Sequence, residues 1–127
     1  MRITTNKTLA ISAMLLGTLC ATAAQAGPRL DSIMQTKVLR VGTPGDYRPF
    51  AMKADGKYVG HDIEVIEAMA KEMGVKVQYV DTTWPNLMGD LQDNKYDIAV
   101  GGITRNVARI SKVQMLPGYA PFGKVAL

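Results

Sequence analysis

One cysteine, one histidine and one tryptophan in 127 residues leave little room for several chemistries. The cysteine, Cys20, lies inside an apolar N-terminal run. Once that run is removed the chain has no thiol, which excludes disulfides, thiolate metal sites and cysteine nucleophiles within it. His61 has no partner histidine or cysteine in sequence range, so it reads as a surface or core histidine; no metal and no cofactor is expected. No stretch is long enough to cross a bilayer, because the apolar run Leu9 to Leu19 is too short. Clustered positive charge is missing too. The 15 Lys and Arg are scattered among 11 Asp and Glu without aromatic interleaving, so nucleic acid is not an expected partner.

What the N-terminus does hold is the pattern of a secretory signal. Arg2 and Lys7 precede the apolar run, and Ala24-Gln25-Ala26 is a small-residue cleavage site. A lipoprotein signal ending at Cys20 fits less well: Leu19, just before the cysteine, is bulky where the cut needs a small residue, and Gly17 three before it fits poorly too. Cleavage after Ala26 places the mature chain in the periplasm. It also removes two basic residues and lowers the net charge from +4 to +2, so the high pI says little about partners. The remaining residues 27–127 suffice for one small core, not for two lobes.

The mature part reads as α/β. Leu30, Ile33 and Met34 have helical spacing, and Val38 to Gly42 reads as the first strand. Asp55-Gly56 marks a hairpin turn within Lys53 to Tyr58. Asp62 to Met73 is the clearest helix, with Ile66, Met69, Ala70 and Met73 on one face and Gly74 as a left-handed cap. The methionines that follow such faces read as core. Val75 to Val80 alternates as a second strand. Pro85 suits the first turn of a helix running to about Asp93. Asp97 to Val100 reads as a third strand, a helix is expected near Val107 to Val113, and Tyr119 to Leu127 has extended character. This order predicts a parallel sheet flanked by helices on both faces.

Three blocks fall at strand carboxyl ends, where open α/β sheets bind ligands: Gly45 to Phe50, Thr82 to Met88 and Gly101 to Thr104. Trp84 offers a ring to wall in a ligand, or simply fills core; Tyr47 is a ligand wall or a core lid. Gly101 and Gly102 leave the backbone bare, so that a ligand could meet amide N–H groups, or they form an ordinary strand-exit turn. Thr104 adds a hydroxyl. Asp46 either bonds a substrate hydroxyl or acts on a proton, or is a turn residue accepting local amides. Asp62 reads as an N-cap.

The ordered series Leu39-Arg40-Val41-Gly42-Thr43, Tyr47-Arg48-Pro49-Phe50, Gly60-His61-Asp62-Ile63, Asp97-Ile98 and Gly102-Ile103-Thr104 with Arg109 resembles the family-3 periplasmic solute-binding proteins. The resemblance implies a periplasmic binding protein type II-like fold, of which this chain is the N-terminal part of one lobe. Gly45-Asp46-Tyr47-Arg48-Pro49-Phe50 and Thr83-Trp84-Pro85-Asn86-Leu87-Met88 are similar to the cyclohexadienyl dehydratase branch. That branch converts prephenate to phenylpyruvate and arogenate to phenylalanine, a carbon–oxygen lyase chemistry. Its general acid is a glutamate of the second lobe, leaving Asp46 as the catalytic candidate among these residues. Substrate-binding candidates are Tyr47, Trp84, Gly102, Thr104 and Arg109, with Arg109 implied as the fork that holds a carboxylate.

Amino-acid receptors of ABC transporters share much of this pattern, and a permease would then be a partner. A third reading is a fragment without function, left by a frameshift, an early stop or an incomplete gene model. It predicts weak ligand binding and poor solubility. The sequence departs from the family at His61, where an aromatic residue is usual, at Ala108, where an acid is usual, and in Met115 to Tyr119, a blurred form of serine-x-proline-tyrosine.

Overall fold

The computed structural model describes residues 27–121; residues 1–26, on which the expected signal sequence falls, and the last six residues lie outside them. The first helix, α1 (Pro28–Thr36), starts with Pro28 in its first turn, where a missing N–H costs nothing. Lys37 ends it in the left-handed region at φ 58°, its N–H donating to the Ile33 carbonyl. The chain then enters β1 (Val38–Thr43).

Three short strands follow: β2 (Asp46–Tyr47), β3 (Ala51–Ala54) and β4 (Lys57–Val59). They pair antiparallel in the order β2-β3-β4 and form a small sheet of their own. The hairpin expected at Asp55-Gly56 is its β3–β4 turn, with φ of 50° and 77° at the two residues. The separate sheet was not evident in the sequence, because β2 is only two residues long.

Helix α2 (His61–Met73) ends at Gly74, φ 67°, whose N–H reaches the carbonyls of Ala70 and Lys71. Ile63, Ile66 and Ala70 are buried on it and Met73 packs against the core, while Met69 is 37% exposed. Met34 is likewise 39% exposed, so neither methionine is the core residue its spacing promised. Ile63, seven positions ahead of Ala70, takes that place. Strand β5 (Lys76–Asp81) lies where expected. Helix α3 (Leu87–Gln92) starts later than Pro85 suggested. Trp84 to Asn86 form a turn ahead of it, in which the N–H groups of Asn86 and Leu87 both donate to the Thr83 carbonyl. The third strand, β6 (Ile98–Ala99), and the helix α4 (Val107–Ile110) are shorter than expected. Residues 119–120 form a bend rather than a strand.

The main sheet is parallel with the order β5-β1-β6, so the first-made strand is central. Val38 to Thr43 pair with Lys76 to Asp81, and Val41 and Gly42 pair with Ile98 and Ala99. One face buries Leu39 and Val41 against Ile33 of α1 and Ile66 and Ala70 of α2. On the other face Gly42 makes room for Tyr96: a Cβ there would stand 2.4 Å from its ring. Tyr96 is fully buried and its hydroxyl donates to the Leu87 carbonyl at 2.6 Å, fastening α3 to that face.

The register of β1 and β6 is fixed by a fork. Asp97 accepts Arg40 Nη2 at 2.7 Å, Arg40 Nε at 3.2 Å and the Arg40 amide at 2.9 Å. Burial alone would raise the Asp97 carboxyl, but Arg40 outweighs it and holds it below the usual carboxylate range. This aligns the ends of β1 and β6 beside each other, where the candidate residues gather.

Candidate ligand site

Four segments converge beyond the strand ends. The small sheet supplies Asp46 and Tyr47, the turn before α3 supplies Trp84, the exit of β6 supplies Gly102 and Thr104, and α4 supplies Arg109. These six residues line one concavity of ≈ 300 Å³. They are the six substrate-binding and catalytic candidates of the sequence.

The walls are aromatic. Tyr47 meets Trp84 edge-on with centroids 6.2 Å apart, and Phe50 lies 5.4 Å from Tyr47 behind it. Trp84 is half-buried, and its Nε1 donates to Asp46 Oδ1 at 2.9 Å. That bond sets the indole plane and also occupies one oxygen of Asp46, so Asp46 accepts from a ring rather than from local turn amides. Arg109 caps the other side. Its guanidinium carbon stands 6.0 Å over the Trp84 ring, and Nη1 donates to the Thr104 carbonyl at 2.8 Å. Asn106 caps α4 through a bond from the Arg109 amide to its Oδ1 at 2.9 Å, which sets where the arginine leaves the backbone. One edge of the fork is therefore anchored, and its other N–H groups make no hydrogen bond among the described residues.

Two expectations change. The amides of Gly101 and Gly102 do not offer themselves to a ligand: both donate to Asp62 Oδ2, at 3.0 and 2.8 Å. Gly102 contributes bareness instead, since at φ 68° an added Cβ would lie 2.4 Å from the Phe50 ring and 2.8 Å from Tyr47. Asp62 is not an N-cap either. Gly60 holds that position without a side-chain bond, and the Asp62 carboxylate points away from its own helix end toward β6.

Asp62 is 7% exposed and uses both oxygens. Besides the two glycine amides it accepts the Tyr119 hydroxyl at 2.6 Å and contacts His61 Nδ1 at 3.0 Å. Burial would raise its carboxyl, but His61, Tyr119 and the two amides together hold it below the ordinary range. Burial and the adjacent carboxylate push the Tyr119 hydroxyl well up. His61 stacks on Tyr119 at 5.4 Å and is itself exposed, the surface alternative of the two that the sequence left open. Sequence reasoning missed Tyr119, Phe50 and the role of Asp62. The motif Gly60-His61-Asp62-Ile63 drew notice, but its partners are 39 to 57 positions away. Among the described residues no group of three or more His, Cys, Asp or Glu could hold a metal.

A parallel sheet whose strand ends carry an aromatic-walled pocket capped by an arginine defines a solute-binding lobe. The chain belongs to the bacterial extracellular solute-binding proteins, family 3, whose model matches residues 39–127.

Among curated relatives, cyclohexadienyl dehydratase of Pseudomonas aeruginosa is 40% identical over 100 residues, covering 78% of this chain and 37% of that protein. A probable amino-acid ABC transporter-binding protein of Haemophilus influenzae is 32% identical over 122 residues, covering 94% and 48%. The chain thus spans less than half the length of these relatives. Among solved structures, an ancestral cyclohexadienyl dehydratase is 50% identical with a TM-score of 0.72, covering 76% of this chain and 40% of that one. The arginine-bound form of domain 1 from TmArgBP is 30% identical with a TM-score of 0.61, covering 64% and 65%. The fold is the periplasmic binding protein type II-like fold, present in part.

Proposed function

We propose that this chain is the carboxylate-holding part of a periplasmic binding site for prephenate, arogenate or an amino acid. The observation that carries it is the joint placement of Arg109, Trp84, Tyr47 and Asp46 around one concavity. Arg109 takes the ligand's carboxylate on the free edge of its fork, and the two rings enclose the apolar part. Asp46 Oδ2 is the acceptor for a ligand hydroxyl or ammonium group. A cleaved leader ending at Ala26 delivers the chain to the periplasm.

The dehydratase reading rests on the identity to the Pseudomonas and ancestral dehydratases. Loss of water needs a proton donor at the leaving hydroxyl, an effect of roughly 10²–10⁴ in rate. Among the described residues Asp46 is the one carboxyl group lining the concavity, with its Oδ1 engaged by Trp84. The family resemblance implies that the donor is a glutamate of a second lobe. The receptor reading, with an ABC permease as partner, is supported by the transporter-binding relatives and by the charge pair of the site: one cation and one anion suit a zwitterion. An arginine-bound single domain of a relative supports ligand retention by one lobe.

Titration of the mature chain with L-arginine, L-phenylalanine and prephenate, read by Trp84 fluorescence, tests the site. Saturable binding of any of the three supports it, and none binding refutes it. Joining the chain to a relative's second lobe and following phenylpyruvate by ultraviolet absorbance separates the readings. Turnover of prephenate means an enzyme; tight amino-acid binding without turnover means a receptor.

A further inference from the structure

The Asp62 carboxylate does not line the proposed site, yet four groups from two other segments and its own helix end on it. Oδ2 holds the Gly101 and Gly102 amides. Oδ1 holds Tyr119 Oη and His61 Nδ1. From the glycines the chain runs two residues to Thr104, whose carbonyl holds Arg109 Nη1. The guanidinium in turn faces Trp84. A continuous path thus runs from a buried carboxylate to the proposed ligand fork.

Each link is needed because the loop has little else to fix it. Gly101 and Gly102 have φ of 127° and 68°, so neither is restrained by a side chain of its own. Beyond Ala99 the loop has left the main sheet, and the Val100 amide is its last bond to β1, at 3.0 Å to the Gly42 carbonyl. The two amides on Asp62 are the next restraint in the chain. Charge-assisted bonds to a nearly buried carboxylate are stronger and more directional than neutral ones.

We propose that Asp62 is a positioning residue for ligand binding: it holds the Gly101–Thr104 loop so that Arg109 presents its free edge to the ligand carboxylate. The proposal rests on the function proposed above. Through Tyr119 the same carboxylate ties the segment ahead of Pro121 to the loop, so both are positioned by one group. Residues 118–121 line a second concavity with Tyr47, Phe50 and Thr104, adjoining the first.

The test compares wild type with D62N, D62A and Y119F in the mature chain. An asparagine can turn its one carbonyl oxygen to both glycine amides, whereas alanine offers neither. With L-arginine, L-phenylalanine and prephenate as probes, D62A weakens Kd at least tenfold at a temperature where it is fully folded. D62N stays within about threefold of wild type, and Y119F within about twofold, since Oδ2 is untouched. A D62A that melts earlier but binds with unchanged Kd overturns the proposal and leaves a structural role alone. D62N as weak as D62A overturns it as well, because geometry would then not be what matters.

A second readout needs no ligand. In ¹H–¹⁵N spectra of wild type and D62A, at a temperature where D62A is fully folded, the Gly101, Gly102 and Thr104 amides and the Arg109 Nε signal shift together. An Arg109 Nε that stays put while the glycine amides move breaks the path and refutes the proposal. If no probe binds wild type, the function reading fails, and this coupled shift still decides the role of Asp62 in placing Arg109.

Discussion

Replacing Arg109 gives the sharpest test of the site, because its two tasks can be separated. Nη1 is committed to the Thr104 carbonyl at 2.8 Å. The remaining edge carries the proposed ligand bonds. A charge-assisted bond contributes roughly 1.5–3 kcal/mol, and half-exposure of this side chain argues for the lower end. Arg109→Met removes two such bonds, about 3 kcal/mol, which is roughly a hundredfold in Kd. Arg109→Lys keeps the charge but has no fork. Its ammonium can serve Thr104 or the ligand with good geometry, not both, so one bond is lost and Kd weakens by about tenfold. The stability cost is small, about 1 kcal/mol for the single bond to Thr104. The sole tryptophan reports the titration directly, since Trp84 lines the concavity beneath Arg109. The order wild type, lysine, methionine should hold for every carboxylate that binds. Equal affinity of the methionine variant and wild type would refute the role of Arg109, and so would a lysine variant as weak as methionine.

Asp46→Asn keeps an acceptor for Trp84 Nε1 and removes the negative charge. It should weaken amino acids relative to prephenate, a dianion without an ammonium group, and competition titrations measure that ratio. Tyr96→Phe leaves the buried Leu87 carbonyl without its donor and should cost about 1–3 kcal/mol in urea unfolding. Acid should destabilise the fold through Asp62 and Asp97, whose carboxyls are held low in the folded state. The sign follows from linkage: their stabilisation is complete above the unfolded value of about 4 and is lost as pH falls through the folded values. Urea midpoints between pH 7 and pH 3 should therefore drop at the acid end. Asp97→Asn should lower the midpoint at pH 7 and flatten the drop.

The sequence revealed most where the determinants are local. Apolar spacing and Gly74 located α2 and its end, and Asp55-Gly56 located the hairpin, because each depends on residues within a turn or two. Five of the six site candidates belong to blocks at strand ends and carry distinctive groups, Arg109 entered through the family resemblance, and the fold gathers all six around one concavity. What escaped notice depends on contacts formed across the fold. Gly102 looked like a donor to a ligand until Asp62, 40 positions earlier, took its amide. Asp62 looked like a cap because helix starts attract aspartate, and only folding shows which way its carboxylate turns. Met69 matched the helical period, but Ile63, Ile66 and Ala70 are the residues the fold buries on that helix. Tyr96 carried no pattern at all; its place depends on the gap opened by Gly42.

The central position of β1 has a kinetic consequence. It is synthesised first, yet its neighbours β5 and β6 lie about 40 and 60 positions further on, by the pairings Val38–Lys76 and Val41–Ile98. Closing such loops costs entropy before any contact repays it. While the ribosome adds roughly 5–20 residues per second, Val38 to Thr43 stay without their strand partners for several seconds. The sheet can complete only after Ala99 has emerged. A chain built this way remains extended and accessible to chaperones through most of its synthesis. The hairpin and α2 are the pieces able to form early. The order of the strands thus sets a waiting time into the protein's first seconds, during which aggregation competes with folding.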